Sequence, residues 1–121
     1  MLSLPATVRV FLCTRPIDLR LGFDRLAALA RDVLASNPLS GHLFVFKNRR
    51  GDKLKILYWE PSGYCLWYKR LEAGTFAFPT TGTAHVGTAG LEIRPAELVM
   101  LIDGVDPARV QRRTRYHRPV S

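Results

Sequence analysis

The stretch HLFVFKNRRGDKLKILYWEPSGYCLWYKRLEAG, His42 to Gly74, decides the fold. Its first half holds two apolar runs, residues 42–48 and 53–60, rich in aromatic and branched side chains and separated by Arg49-Arg50-Gly51-Asp52. Such a pattern predicts two strands joined by a tight bend, with Gly51 supplying a positive φ. In the first run Phe44 and Phe46 oppose Leu43 and Val45. Both faces of that strand are therefore apolar, which places it in the middle of its sheet. In the second run, alternation puts Leu54, Ile56 and Tyr58 on one face, with Lys53, Lys55, Leu57 and Trp59 on the other. Pro61-Ser62-Gly63 then breaks the chain. Tyr64, Trp67, Tyr68 and Leu71 follow at helical spacing, which predicts a short helix ending at Gly74.

Upstream, TVRVFLC (Thr7 to Cys13) alternates and reads as a strand. Pro16 and Asp18 suit the first turn of a helix. The apolar stripe Leu19, Phe23, Leu26, Ala30, Val33, Leu34 extends that helix to about Ala35, where SNPLSG stops it. Downstream, TFAFP suggests an edge strand, TTGTAHVGTAG a loop and LEI a brief strand, and Pro95 opens a last helix. The expected fold class is α+β. A small, mainly antiparallel sheet carries a long N-terminal helix packed on one face and a short C-terminal helix. One domain would span residues 1–106, at a length that suits a single core. The remaining residues, 107–121, form a basic tail with no apolar periodicity, expected to be disordered in isolation.

The charge balance, 18 Lys+Arg against 10 Asp+Glu, gives +8 and an isoelectric point near 10.2. A clustered excess of this kind favours polyanionic partners. The hairpin cations Lys47, Arg49, Arg50, Lys53 and Lys55, the following Lys69 and Arg70, and Arg112, Arg113 and Arg115 of the tail are the candidate DNA contacts. Arginine would act as a forked phosphate donor and lysine as a point charge. Trp59, Trp67 and Tyr68 would stack on unpaired bases if exposed. The binding role requires these cations, distant in sequence, to converge on one face.

Catalytic chemistry has little support. Asp18, Asp24, Asp32, Asp52, Glu60 and Glu72 form no recognised metal pattern, and His42, His85 and His117 are isolated. Gly82, Gly87 and Gly90 are too loosely spaced for a phosphate loop. No catalytic residue, metal or cofactor is therefore assigned. Cys13 and Cys65 read as buried thiols. The N-terminal segment lacks a basic region before its apolar run and no run spans a bilayer, so a cytoplasmic protein with no membrane partner is expected.

Three ordered motifs stand out: D-x-R-x-G-F-D from Asp18, F-x-F-x-N-R-R-G-D-x-x-K from Phe44, and L-W-Y-K-R-L-E-x-G-x-F from Leu66. Together they resemble the second open reading frame product (Orf2-like, often called TnpB) of insertion-sequence-66 type bacterial transposons, over nearly the whole chain. The resemblance implies an accessory protein of transposition, encoded beside a separate, larger transposase. The implied partners are DNA at the transposon ends, the transposase of the same element, or both, and the implied location is the bacterial cytoplasm, on the nucleoid if DNA-bound. By position the family signature falls on Asp18, Arg20, Gly22, Phe23, Asn48, Arg49, Arg50, Gly51, Asp52, Lys55, Lys69, Arg70 and Glu72. Leu21 departs from it, standing where family members often carry a base. The alternatives are an adaptor that contacts the transposase without DNA affinity and, with less to support it, a metal-dependent nuclease using Asp18 or Asp52.

Overall fold

The structure, a computed structural model, describes residues 7–106 and 111–112. Its strands are β1 (Val10–Cys13), β2 (Leu43–Lys47), β3 (Lys53–Glu60), β4 (Gly63–Arg70), β5 (Ala84–Val86) and β6 (Gly90–Ile93). These form one six-stranded sheet in the order β4-β3-β2-β1-β6-β5. The β1–β2 pair is parallel and every other neighbouring pair is antiparallel, so the sheet is mixed. Helix α1 (Phe23–Asp32) covers one face and helix α2 (Pro95–Ile102) the other. A separate two-residue pairing joins β7 (Val105–Asp106) to β8 (Gln111–Arg112). Among the described residues, no helix is long and apolar enough to cross a membrane.

Both faces of the sheet are buried, and side-chain alternation sorts the core into two layers. Val10, Leu12, Val45, Leu54, Ile56, Leu91 and Ile93 pack with Phe76 beneath Leu98, Leu101 and Ile102 of α2. Phe11, Phe44, Phe46 and Leu57 pack beneath Leu26, Ala27 and Ala30 of α1, with Leu19, Val33 and Leu34 closing the edges. Strand β2 has both faces buried and lies inside the sheet, as its doubly apolar pattern predicts.

This architecture overturns the expected fold class. The molecule is mainly β, and its first helix is a ten-residue segment, not a long one starting near Pro16. The segment before it is held by other hydrogen bonds. The Ile17 N–H donates to Lys47 O at 2.9 Å and the Leu21 N–H to Asp18 O at 3.1 Å. The Asp18 carboxylate accepts the Arg20 backbone N–H at 2.9 Å, an Asx-type turn that competes directly with helix. Pro16 also disfavours a helical Arg15. Leu19, Val33 and Leu34 are buried as the stripe requires, yet they lie outside the helix, and Phe23, which belongs to the stripe, is 47% exposed. The helix ends where Ala35 takes a left-handed φ of +49° and the Ser36 N–H donates back to Ala30 O. Gly87 is packed against this end. A Cβ there would stand 2.1 Å from Val33 O, so a glycine of the Thr-rich loop is required by close approach.

The second correction is β4, expected as a helix. It pairs with β3 along its whole length, from Lys53 opposite Arg70 to Glu60 opposite Gly63, across the two-residue bend Pro61-Ser62. Helix propensities differ by at most about 0.7 kcal/mol among ordinary residues. Apolar surface removed from water contributes about 25 cal/mol per Å², so even the partial burial of Tyr64, Leu66 and Trp67 against the two layers outweighs such differences. Aromatic spacing that fits a helix locally therefore yields to a strand that covers both layers. TFAFP forms no strand. Phe76 instead sinks into the core at 2% exposure, and its N–H donates to Gly51 O at 2.8 Å.

Candidate functional site

The bend between β2 and β3 is tightly built. Asn48 is its organiser: its side-chain amide donates to Asp52 Oδ1 at 2.8 Å, and its Oδ1 accepts the Lys53 N–H at 3.1 Å. The Gly51 N–H closes the turn on Asn48 O, with Gly51 at φ +77°, a conformation that L side chains rarely adopt. The Leu71 N–H then donates to Asp52 O, tying the end of β4 to the same bend. The hydrogen bond from Asn48 is the main reason the Asp52 carboxyl titrates below the ordinary range. Asn48, Gly51 and Asp52 thus hold the turn, while Arg49 and Arg50 project from it and are exposed.

The loop before α1 comes to lie against this turn. The two segments enclose a cleft of about 460 Å³ lined by Asp18, Arg20, Asn48, Arg49, Arg50 and Lys53, with Tyr68 of β4 and the apolar Pro16, Ile17 and Leu19 completing the wall. The Ile17-to-Lys47 backbone bond clamps the loop to the end of β2. Two motifs thirty residues apart in the chain therefore share one concavity. Inside it, Arg20 forks onto both oxygens of Asp18, with its terminal nitrogen at 2.8 Å. That hydrogen bonding holds the Asp18 carboxyl down to about 2. Among the described residues, Arg49, Arg50 and Lys53 make no side-chain ion pair within 4.0 Å.

The remaining candidate cations are distributed differently. Lys55 faces the same side as Lys53. Its Nζ donates to Leu21 O at 3.2 Å and sits 4.9 Å from the centre of the Tyr68 ring. Lys47 and Lys69 both stand opposite Leu54 in the strand register, on the α2 face. Lys69 donates to Ile102 O at 3.0 Å, placing a cation at the carbonyl end of α2. Lys47 sits 4.4 Å from the centre of the Phe78 ring, beside a second cavity of about 320 Å³. Arg70, across from Lys53, is paired with Glu72 at 2.9 Å. Gly22 precedes α1 and Phe23 begins it. Arg112 belongs to the short β8, while Arg113 and Arg115 lie outside the described residues. Among the described residues the candidate cations do not form one continuous face, and those at the cleft are the ones that converge.

Sequence reasoning did not foresee the role of the Asp18–Arg20 loop at the turn, and it named Tyr68 as a stacking candidate without placing it on a strand beside that turn, because both segments were assigned to helices. A signal was present in the first case: an aspartate two residues before an N–H donor, with Gly22 just beyond, is a turn pattern. Of the aromatics considered for stacking, only Tyr68 is exposed, at 53%. Trp59 packs edge-on to Tyr64 with ring centres 5.0 Å apart, and Trp67 packs on the core. His42 is structural, its Nδ1 accepting the Arg9 N–H at 2.9 Å, and burial is the first cause of its lowered pKa. Among the described residues, no three His, Cys, Asp or Glu side chains gather into a metal-binding group.

Comparison with known proteins supplies the lineage. The family described as IS66 Orf2 like protein matches residues 8–112. Two proteins of Sinorhizobium fredii (strain NBRC 101917 / NGR234) are similar over 106 residues. Uncharacterized protein y4hO is 40% identical, covering 88% of this chain and 88% of its own length. Uncharacterized protein y4jC is 38% identical, covering 88% of this chain and 86% of its own length. No solved structure matches. Since the match runs through every strand of the sheet and takes in both segments that make the cleft, the chain belongs to the IS66 Orf2-like family.

Proposed function

We propose that this chain is an accessory factor of insertion-sequence transposition that binds DNA of the element's ends through phosphate contacts at the cleft. The family supports the transposition role. The observation that supports DNA binding is the convergence of Arg20, Arg49, Arg50 and Lys53 on one concavity where, among the described residues, Arg49, Arg50 and Lys53 lack ion-pair partners. Arg49, Arg50 and Lys53 stand next to each other while Asp18 is taken up by Arg20 and Asp52 by the Asn48 amide, and a polyanion relieves the repulsion among them. Guanidinium forks are well matched to phosphate oxygens. The two arginines stand on a turn braced by Asn48 and Gly51, so little backbone flexibility has to be lost on binding.

Binding of this kind displaces counterions. Engagement of the cleft's Arg49, Arg50 and Lys53, with Arg20 held by Asp18, predicts a slope of about −2 to −3 for log affinity against log salt. Titration of a labelled end duplex at several salt concentrations measures it. A flat salt response, or no binding at low salt, would falsify DNA binding and leave contact with the transposase as the remaining role, testable by co-purification.

A further inference from the structure

Tyr68 is the exposed aromatic residue of the cleft, and phosphate binding does not explain it. Its ring lines the cavity beside Arg49, Arg50 and Lys53, on a strand of the sheet and not on a loop. An exposed tyrosine with more than half its surface in solvent is neither core nor spacer. Lys55, anchored to Leu21 O, holds a cation 4.9 Å from the ring centre, so the ring is positioned and not merely left over. The adjoining wall of Pro16, Ile17 and Leu19 is apolar, which a phosphate has no use for.

We infer that the cleft takes an unpaired nucleotide, its base stacked on Tyr68 and its phosphate held by Arg49, Arg50 and Lys53. The inference rests on the nucleic-acid reading of this cleft and narrows it. In a duplex the faces of the bases are hidden in the stack, so Tyr68 can reach a base only where the strand is unpaired. Every base offers a π-face, so a single aromatic platform beside cations binds single strands with little sequence preference. A volume of about 460 Å³ lies within the range of pockets that enclose one small ligand, whereas a double helix is too thick to enter it. A site placed on β4 and a braced turn has the rigidity such a platform needs.

The experiment uses the full chain and two probes: a blunt duplex, and the same duplex with a short single-stranded thymidine extension. Anisotropy titrations are run with Tyr68→Leu, Tyr68→Trp and Arg49→Ala/Arg50→Ala, with thermal melts confirming that each variant folds. Tyr68→Leu is expected to weaken binding of the extended probe by about five- to a hundredfold, and of the blunt duplex by less than about twofold. Tyr68→Trp is expected to keep or tighten extended-probe binding, which shows that the ring and not the hydroxyl matters and gives a second test if the leucine variant is unstable. An RNA extension in place of thymidine distinguishes a preference for the sugar from stacking alone. If wild-type protein binds both probes equally, or Tyr68→Leu weakens both alike, the unpaired-nucleotide site is wrong although DNA binding stands. If neither probe binds, the reading beneath it fails as well.

Discussion

The two faces of the sheet treat the same kind of side chain in opposite ways. On the α2 face, Lys47 and Lys69 flank Leu54 in the strand register. One lies against the Phe78 ring and the other reaches the last carbonyl of α2. On the α1 face, Lys53 opens into a cleft shared with the turn arginines. Seven residues of sequence, Lys47 to Lys53, therefore contain both a cation packed against the α2 face and cations that line the cleft. What separates them is the two-residue period of the strand and the tightness of the turn. A run of positive charge in a sequence is not yet a positive patch.

The largest expected effect comes from exchanging the two groups. Arg49→Ala/Arg50→Ala should lower DNA affinity by at least about a hundredfold, since each of the two charge-assisted contacts is worth about 1.5–3 kcal/mol, and should leave the melting temperature nearly unchanged. Lys47→Met/Lys69→Met should do the reverse, lowering stability while affinity stays within about twofold of wild type. Equal affinity losses in both double variants would erase the distinction between the faces. Binding isotherms and denaturant melts on the same preparations decide it.

Next in size is Asn48→Ala. It removes the acceptor of the Lys53 N–H and the donor to Asp52 in a partly buried turn, at a cost of about 1–3 kcal/mol. Because the arginines stand on that turn, affinity should fall with stability, linking fold and binding at this one residue. Lys69→Met alone is smaller, about 1 kcal/mol, through the lost hydrogen bond to Ile102 O. Its affinity should not move. A drop in DNA binding for Lys69→Met would mean that the α2 face also contacts the nucleic acid.

The strands that alternate cleanly were legible from the residues, and so was the bend closed by Gly51. Pro95 marks the start of α2 correctly. What misled was burial without helicity. Leu19 and Leu34 are core residues at helical spacing, yet they are placed by loops whose hydrogen bonds go to Lys47, Ala30 and the neighbouring turn. Tyr64, Trp67 and Tyr68 share one face of a helix, whereas the strand puts Trp67 on the face opposite the other two. Only pairing with β3, a tertiary fact, selects the strand. The candidate site was half legible for the same reason: its cations were visible, but the cleft exists only because the Asp18–Arg20 loop is not helical.

The smallest effect concerns Asp18, the carboxylate that faces the cleft's cations, and it sharpens the contrast from the acidic side. Its folded-state value of about 2 lies below the roughly 3.9 of an unfolded aspartate. A depressed carboxylate stabilises the fold above the unfolded value, and that contribution is lost as pH falls through about 2. Wild-type protein should therefore lose stability relative to Asp18→Asn between about pH 4 and pH 2, slightly, because the pair is solvent-exposed and screened. Denaturant melts of both proteins across that window measure the difference, and parallel curves would show that the Arg20 pair contributes nothing. At neutral pH the same substitution removes one negative charge and releases Arg20 to the ligand. DNA affinity should rise modestly and the salt slope should steepen by about one. An unchanged slope would mean that Arg20 serves the turn alone, as Lys69 serves α2, and that the ligand-facing set ends with Arg49, Arg50 and Lys53.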